Sequence, residues 1–219
     1  MIRFSTHSDI PAMRKIWDAC FPGDEGYADF FFKTLYNKAL VFEQDCTVTS
    51  MLHLLPFKRD DGAAITYIYG VGTLPEYRRR GQSAALITAA LNDNDICILI
   101  PAEDWLFGFY EKFGFKTVFY KHEFTTPPLE TGRNATLDDI PILNAIYRNA
   151  ITPRVERTDE HWSHYLENIL VFDEAYAIMS KKCVIEAFGR DTSSSLTNKP
   201  FGMANQWPSG NAYLEAMYN

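Results

Sequence analysis

The stretch Tyr67-Ile68-Tyr69-Gly70-Val71-Gly72-Thr73-Leu74-Pro75-Glu76-Tyr77-Arg78-Arg79-Arg80-Gly81-Gln82-Ser83-Ala84-Ala85-Leu86-Ile87 constrains the fold more than any other part of the chain. A β-rich run ends at Pro75, whose nitrogen cannot donate to a sheet ladder. A basic turn with one glycine follows, then an alanine- and leucine-rich helix expected over 83–91. Strand, glycine turn and helix start, in that order, form an anion site. The first-turn amides lack intrahelical acceptors, and the helix dipole adds roughly +0.5 charge there. Gly81 lets the backbone approach a phosphate closely, and the small Ser83 keeps the first turn open. Arginines at a helix start oppose the dipole unless an anion is bound, which argues against a merely solvated arginine cluster. A pyrophosphate is the natural guest. The stretch is neither a dinucleotide fingerprint, since Gly70-x-Gly72 lacks the third glycine, nor a P-loop, since no Gly-Lys-Ser/Thr follows.

Composition narrows the function classes. The 219 residues carry a formal charge of −7, which disfavours nucleic acid as a partner because neutralising phosphates needs a basic surface. No apolar run approaches the roughly 20 residues that span a bilayer, and residues 1–7 lack the apolar core of a secretory signal. Cys20, Cys46, Cys97 and Cys183 are scattered without Cys-x-x-Cys spacing, so reduced thiols in a cytoplasmic protein are expected.

The chain also repeats itself. Arg3-Phe4-Ser5-Thr6-His7-Ser8-Asp9-Ile10-Pro11 aligns with Arg133-Asn134-Ala135-Thr136-Leu137-Asp138-Asp139-Ile140-Pro141 at an offset of 130, which also matches Ile16 to Ile146 and Trp17 to Tyr147. Each copy reads as a short strand, an N-cap at Ser8 or Asp138, and an amphipathic helix with proline in its first turn. An aromatic-rich helical stretch follows (27–36 and 161–169), then a hairpin (39–56 and 176–188) with polar turns near Asp45 and Lys181. Between the copies, 125–132 has breaker composition and serves as a linker. The reading is therefore α/β, with a first domain over 1–124 and a smaller second unit over 133–219. That second unit is expected to stop after its hairpin and to need the first to bury its sheet.

Arg78-Arg79-Arg80-Gly81-Gln82-Ser83 after Val71-Gly72-Thr73-Leu74-Pro75 resembles motif A of the Gcn5-related N-acetyltransferase (GNAT) superfamily. That motif is Arg/Gln-x-x-Gly-x-Gly/Ala after a strand ending Val-x-Val-x-Pro; serine at 83 departs from it. Phe109-Tyr110-Glu111-Lys112-Phe113-Gly114-Phe115 is similar to the family's Phe-Tyr-x-x-Gly-Phe signature, with one extra residue before glycine. The triple arginine, the Phe-Gly-Phe ending and a degenerate second unit look most like the enhanced-intracellular-survival branch. The resemblance implies a GNAT fold with a mixed central sheet, followed by a degenerate GNAT-like half domain. It also implies an acetyl-CoA-dependent acyltransferase that delivers acetyl to a primary amine, on a small molecule or peptide, by direct transfer. In that reading Arg78 lies in the pyrophosphate loop and the amides of Arg79, Arg80, Gly81 and Ser83 hold the coenzyme A pyrophosphate. Main-chain groups of Val71 and Thr73 pair with the pantetheine arm, and Tyr110 protonates the departing thiolate.

The base is left open. Glu103 and Asp104 follow a strand expected over 96–100, and His53 lies on a strand expected to alternate over 50–57. In the enhanced-intracellular-survival branch a sterol-carrier-like region delivers a terminal carboxylate; this chain shows no such region before Asn219. Cys97 reads as a core residue, and His161 with His164 as a helix face rather than a metal site. The second unit carries no motif A, so it should bind no second coenzyme; Trp162, Tyr165 and Trp207 are candidates to wall the acceptor pocket. Rival readings are a longer-chain acyl or aminoacyl transferase, a non-catalytic CoA-binding module, and a protein-interaction module. Homo-oligomerisation is compatible with all of them.

Overall fold

The computed structural model describes residues 1–23, 25–36 and 38–208. The chain forms two compact units, one made of Met1–Phe57, Ala63–Lys116 and Met203–Trp207, the other of Lys58–Gly62 and Thr117–Gly202.

In the first unit, β1 (Ile2–Phe4), β2 (Lys38–Gln44), β3 (Thr47–Lys58), β4 (Ala64–Thr73) and β5 (Cys97–Leu99) stand side by side in that order. Residues Met203 and Ala204 pair antiparallel with Leu99 and Ile98 on the far side of β5. The β4–β5 pair is parallel and β1–β2 and β2–β3 are antiparallel, so the sheet is mixed. Helix α1 (Ile10–Cys20) buries Met13, Ile16 and Trp17, the spacing of one helical face. It reaches β4 through two glycines: a Cβ on Gly72 would lie 2.9 Å from Ile16 Cγ2, and one on Gly70 3.1 Å from both Trp17 Cζ3 and His53 Cδ2. Helix α2 (Glu25–Phe30) passes into a π turn, Phe31–Leu35. Helices α3 (Gln82–Asp93) and α4 (Trp105–Glu111) supply Leu86, Ile87, Ala90 and Tyr110 to a core shared with Ile68, Cys97 and Leu99. Strand β3 is buried on both faces from Val48 to Leu55, so it does not alternate as its sequence suggests.

The second unit holds β6 (Lys116–Thr125) and the preceding length of β11 (Ser193–Ala204), where Thr197 Oγ1 donates to the Lys121 carbonyl (2.7 Å). It also holds an antiparallel sheet of β7 (Arg133–Asn134), β8 (Ile169–Phe172), β9 (Ala175–Ser180) and β10 (Cys183–Gly189), with α5 (Ile140–Ala150) and α6 (Asp159–Ser163). The expectation that it stops after a hairpin is corrected by β11. The expectation that it cannot bury its own sheet is corrected as well, because Leu143, Tyr147, Trp162, Ile169, Tyr176 and Ile178 form a core within it. Inside that core Arg157 and Glu186 make two 2.6 Å hydrogen bonds, and Tyr176 Oη donates to Glu186 Oε1 (2.5 Å). The Arg157 guanidinium lies 3.9 Å from the Tyr147 ring centre and 4.7 Å from that of Trp162.

The repeat is visible in three dimensions. The helices Ile10–Cys20 and Ile140–Ala150 keep the offset of 130. Both are entered through a short turn closed by a capping box, Thr6 with Asp9 and Thr136 with Asp139, rather than by the Ser8 and Asp138 caps expected. Arg3 and Arg133 each grip the box carboxylate with two nitrogens and hold it well below the usual carboxylate range. The hairpins turn on paired left-handed residues, Asp45–Cys46 and Lys181–Lys182, as two-residue loops require.

Candidate functional site

The site is built on the parting of β4 from β5. Their pairing is confined to Thr66 with Cys97 and Tyr67 with Ile98, after which β4 continues to Thr73 while β5 ends at Leu99. The Thr66 amide donates to the Ile96 carbonyl, toward β5 (2.8 Å), whereas the Leu74 amide donates to the Thr49 carbonyl, toward β3 (3.0 Å). Strict alternation would aim both amides to one side, so β4 slips by one residue between them. Gly70, at φ +57°, stands at that slip. Beyond it, Val71 and Thr73 are out of phase with Leu74 and turn their main-chain groups toward the edge that β5 has left. The Thr73 carbonyl accepts from Arg78 Nε (3.1 Å) and from Cys20 Sγ (3.4 Å).

One 3₁₀ turn, Pro75–Tyr77, leads into the exposed arginine loop. Arg79 (φ +62°) and Gly81 (φ +76°) are both left-handed, one on each side of Arg80. A Cβ on Gly81 would meet nothing within 4 Å, so glycine is needed there for its φ and not for space. The Ala85 amide, bonded to the Gly81 carbonyl, begins the α3 ladder, leaving the amides before it outside the helix bonds. Arg80 folds back, donating to the Glu76 carbonyl (2.8 Å) with its guanidinium 5.1 Å from the Tyr77 ring centre.

Beneath the loop runs a chain of hydroxyls. Ser50 Oγ donates to the Gly72 carbonyl (2.8 Å) and lies 2.7 Å from Thr73 Oγ1, which lies 2.8 Å from Ser83 Oγ. Each hydroxyl has one proton, and that of Ser50 is spent on Gly72, so Thr73 donates to Ser50 and Ser83 donates to Thr73. The Ser83 hydroxyl proton is thus used inward. Beside this chain, Thr49 Oγ1 donates to Gln82 Oε1 (2.9 Å). Sequence reasoning passed over Thr49, Ser50 and Gln82. For Thr49 and Ser50 the signal was two adjacent polar residues inside a long, mostly apolar strand; none marked Gln82.

Tyr110 is buried among Phe109 and Phe115, in the cluster against which Val71 packs, and burial pushes its hydroxyl up to about 12. It stays protonated at neutral pH. The structure thus brings Tyr110, Val71, Thr73 and the 78–83 loop into one unit.

Other candidates separate from this group. Glu103 is exposed and accepts from Trp105 Nε1 (2.6 Å), and Asp104 is exposed at the start of α4. Cys97 is fully buried, and desolvation pushes its thiol up to about 11. His161 Nδ1 accepts from the Thr158 amide (3.1 Å) as part of a helix cap. Among the described residues no His, Cys, Asp or Glu group is placed to hold a metal ion, and no helix is long and apolar enough to cross a membrane. Trp162 is 1% exposed and donates to Asn144 Oδ1, with Tyr165 packed on the same core, so these two are core aromatics of the second unit. Trp207 falls within the first unit, and Asn219 lies outside the described residues. His53 is wholly buried, with the rings of Trp17, Phe31, Phe32 and Tyr36 against it, and burial pulls it down to about 3.

Residues 1–118 match the family model described as an acetyltransferase (GNAT) domain. A GCN5-related N-acetyltransferase from Kribbella flavida superposes with a TM-score of 0.69 at 12% identity, over 93% of this chain and 70% of that one. One from Anabaena variabilis gives 0.66 at 16% identity, over 93% and 72%. Eis1 from Mycobacterium abscessus gives 0.62 at 16% identity, over 87% and 60%. At these identities the likeness is one of fold. Among curated proteins, none matches the chain in sequence.

Proposed function

Because this chain belongs to the GNAT acetyltransferase family, we propose that it moves acetyl from acetyl-CoA to a primary amine by direct attack in a ternary complex. The observation that carries the reading is the continuity of the open β4 edge at Val71 and Thr73 with the left-handed loop at the start of α3. Amides of Arg79, Arg80, Gly81 and Ser83 hold the pyrophosphate, whose charge also relieves the opposition between the Arg78–Arg80 cluster and the helix dipole. Main-chain groups of Val71 and the Thr73 amide pair with the pantetheine arm; the Thr73 carbonyl is held by Arg78. Acetyl-CoA enters as a co-substrate. Within the family we place the chain beside the enhanced-intracellular-survival branch, on its triple arginine, Phe113-Gly114-Phe115 and second repeat unit. Free thiols at Cys20, Cys46, Cys97 and Cys183 suit a cytoplasmic protein.

In the reaction the neutral amine nitrogen attacks the thioester carbon, the carbon–sulfur bond breaks, and Tyr110 gives its proton to the leaving sulfur. The proton shed by the nitrogen passes through water and restores the Tyr110 hydroxyl. The attacking nitrogen must first be neutral. A lysine-like amine has a pKa about 3.4 units above pH 7, so deprotonation costs roughly 4.6 kcal/mol. Holding amine and thioester together contributes about 7–11 kcal/mol where the geometry is near-attack.

The test is calorimetric titration of acetyl-CoA into the wild type, Arg80→Glu and Gly81→Glu. Binding by the wild type that is lost in both variants supports the assignment. A folded wild type that binds no acetyl-CoA overturns it and favours an interaction module.

A further inference from the structure

Three departures from ordinary local rules meet at one place in the first unit. His53 is fully buried, yet among the described residues neither ring nitrogen has a hydrogen-bond partner, and nor does the buried indole nitrogen of Trp17. Phe31–Leu35 is a π turn, closed by the Tyr36 amide on the Phe31 carbonyl (2.8 Å); such turns are rare and concentrate at functional sites. Gly70 stands at the slip of β4, and a Cβ there would touch His53 and Trp17. Departures from local rules of this kind concentrate at functional or strained sites.

The rings around His53 define the chemistry. Phe31 lies 4.7 Å away between centroids, Phe32 5.5 Å, and Tyr36 and Trp17 5.9 Å each; the first three are edge-to-face. Tyr69, on β4 next to Gly70, packs 5.3 Å from Phe31. Phe32, Tyr36 and Tyr69 are the partly exposed members of the shell, whereas Phe31, Trp17 and His53 form its floor. The shell residues carry no carboxylate, and Asp18 and Asp29 nearby are both taken by Arg14. Among the described residues of the shell a polycation would find rings but no carboxylate. A flat apolar body would find stacking partners, and its amine an unused imidazole acceptor.

We infer that this shell is the acceptor subsite and that it takes an arylalkyl primary amine, with His53 accepting a hydrogen bond from the amine nitrogen one residue from Val71. The inference rests on the acetyltransferase reading and adds the class of its acceptor. Phe32 and Tyr36 move aside for the ring of the amine, and His53 orients the nitrogen toward the thioester carbon. Low polarity around the bound amine favours its neutral form, the form that attacks.

Initial rates of thiol release from acetyl-CoA test it, with 2-phenylethylamine and spermidine as acceptors and the wild type, His53→Phe and His53→Gln as enzymes. The wild type should favour 2-phenylethylamine over spermidine at least tenfold in kcat/KM. His53→Phe, which keeps the ring and removes the nitrogens, should lose at least tenfold toward 2-phenylethylamine, with acetyl-CoA affinity by calorimetry unchanged. His53→Gln, which keeps an acceptor atom, should recover part of that loss. Preference for spermidine, transfer to neither amine, or a His53→Phe enzyme as active as the wild type would overturn the inference. A wild type that binds no acetyl-CoA overturns the acetyltransferase reading instead.

Discussion

Replacing His53 by phenylalanine should change how stability depends on pH, by an amount the burial of the imidazole sets. In the folded chain desolvation pulls His53 from 6.5 to about 3. The unfolded chain takes up its proton as pH falls through 6.5, while the folded chain refuses it until about 3. The stability this neutral imidazole preserves is therefore fully present above pH 6.5 and lost as pH falls toward 3. Between pH 7 and pH 5 the linkage relation gives a loss of about 2 kcal/mol from this one residue. His122 and His161, also pulled down by burial, contribute in the same direction but are present in both proteins. Asp9 and Asp139, held low by their arginines, give up stability only below the ordinary carboxylate range, outside this window. Urea unfolding of wild type and His53→Phe at pH 7 and pH 5 yields the difference of differences, from which any repacking cost of phenylalanine cancels. A wild type that loses about 2 kcal/mol more than the variant agrees with a desolvated, unpaired imidazole. A difference below about 0.5 kcal/mol would refute it, because an imidazole that reaches solvent or a partner keeps a near-normal pKa.

Three other substitutions have expected outcomes. Gly72→Ala sets a methyl 2.9 Å from Ile16 Cγ2 and 3.2 Å from Cys20 Sγ, so α1 must lift from β4; thermal unfolding should show a loss of about 1–3 kcal/mol. Arg157→Met strands the buried Glu186 carboxylate and should cost about 3–5 kcal/mol in denaturant unfolding, most of it recovered by adding Glu186→Leu. Tyr110→Phe removes the proposed proton donor and should lower kcat about 100-fold or more in the thiol-release assay, with acetyl-CoA affinity held within a few-fold.

What could be read from the residues alone was local. Pro75 ends a strand, Gly81 supplies a left-handed turn, and the alanine-rich run after it forms a helix; each follows from the backbone preferences of a few neighbouring residues. The repeated entries to α1 and α5 were legible for the same reason, since arginine, threonine and aspartate at fixed short spacings close the same capped turn twice. Even there the cap moved to Thr6 and Thr136, because Asp9 and Asp139 satisfy the turn amides and the arginine together.

Tertiary structure decided everything that depends on which distant strands lie side by side. The slip of β4 appears only when Thr66 and Leu74 are seen bonding to opposite neighbours. The hydroxyl chain from Ser83 to Ser50 joins residues 33 positions apart, and no local pattern marks its direction. His53 looked like one member of an alternating strand, but β3 is covered on both faces, and the rings against it come from α1, the π turn and Tyr36 just after it. The second unit keeps the register of the first hairpin: Glu186 faces Ile178 where Ser50 faces Phe42, both displaced by 136. Ser50 there secures β4, whereas Glu186 is neutralised by Arg157, and the difference lies in what packs above the strand. Short-range preference sets the conformation of each segment; the contacts that turn segments into a site are long-range, and their energies exist only once the sheet has assembled.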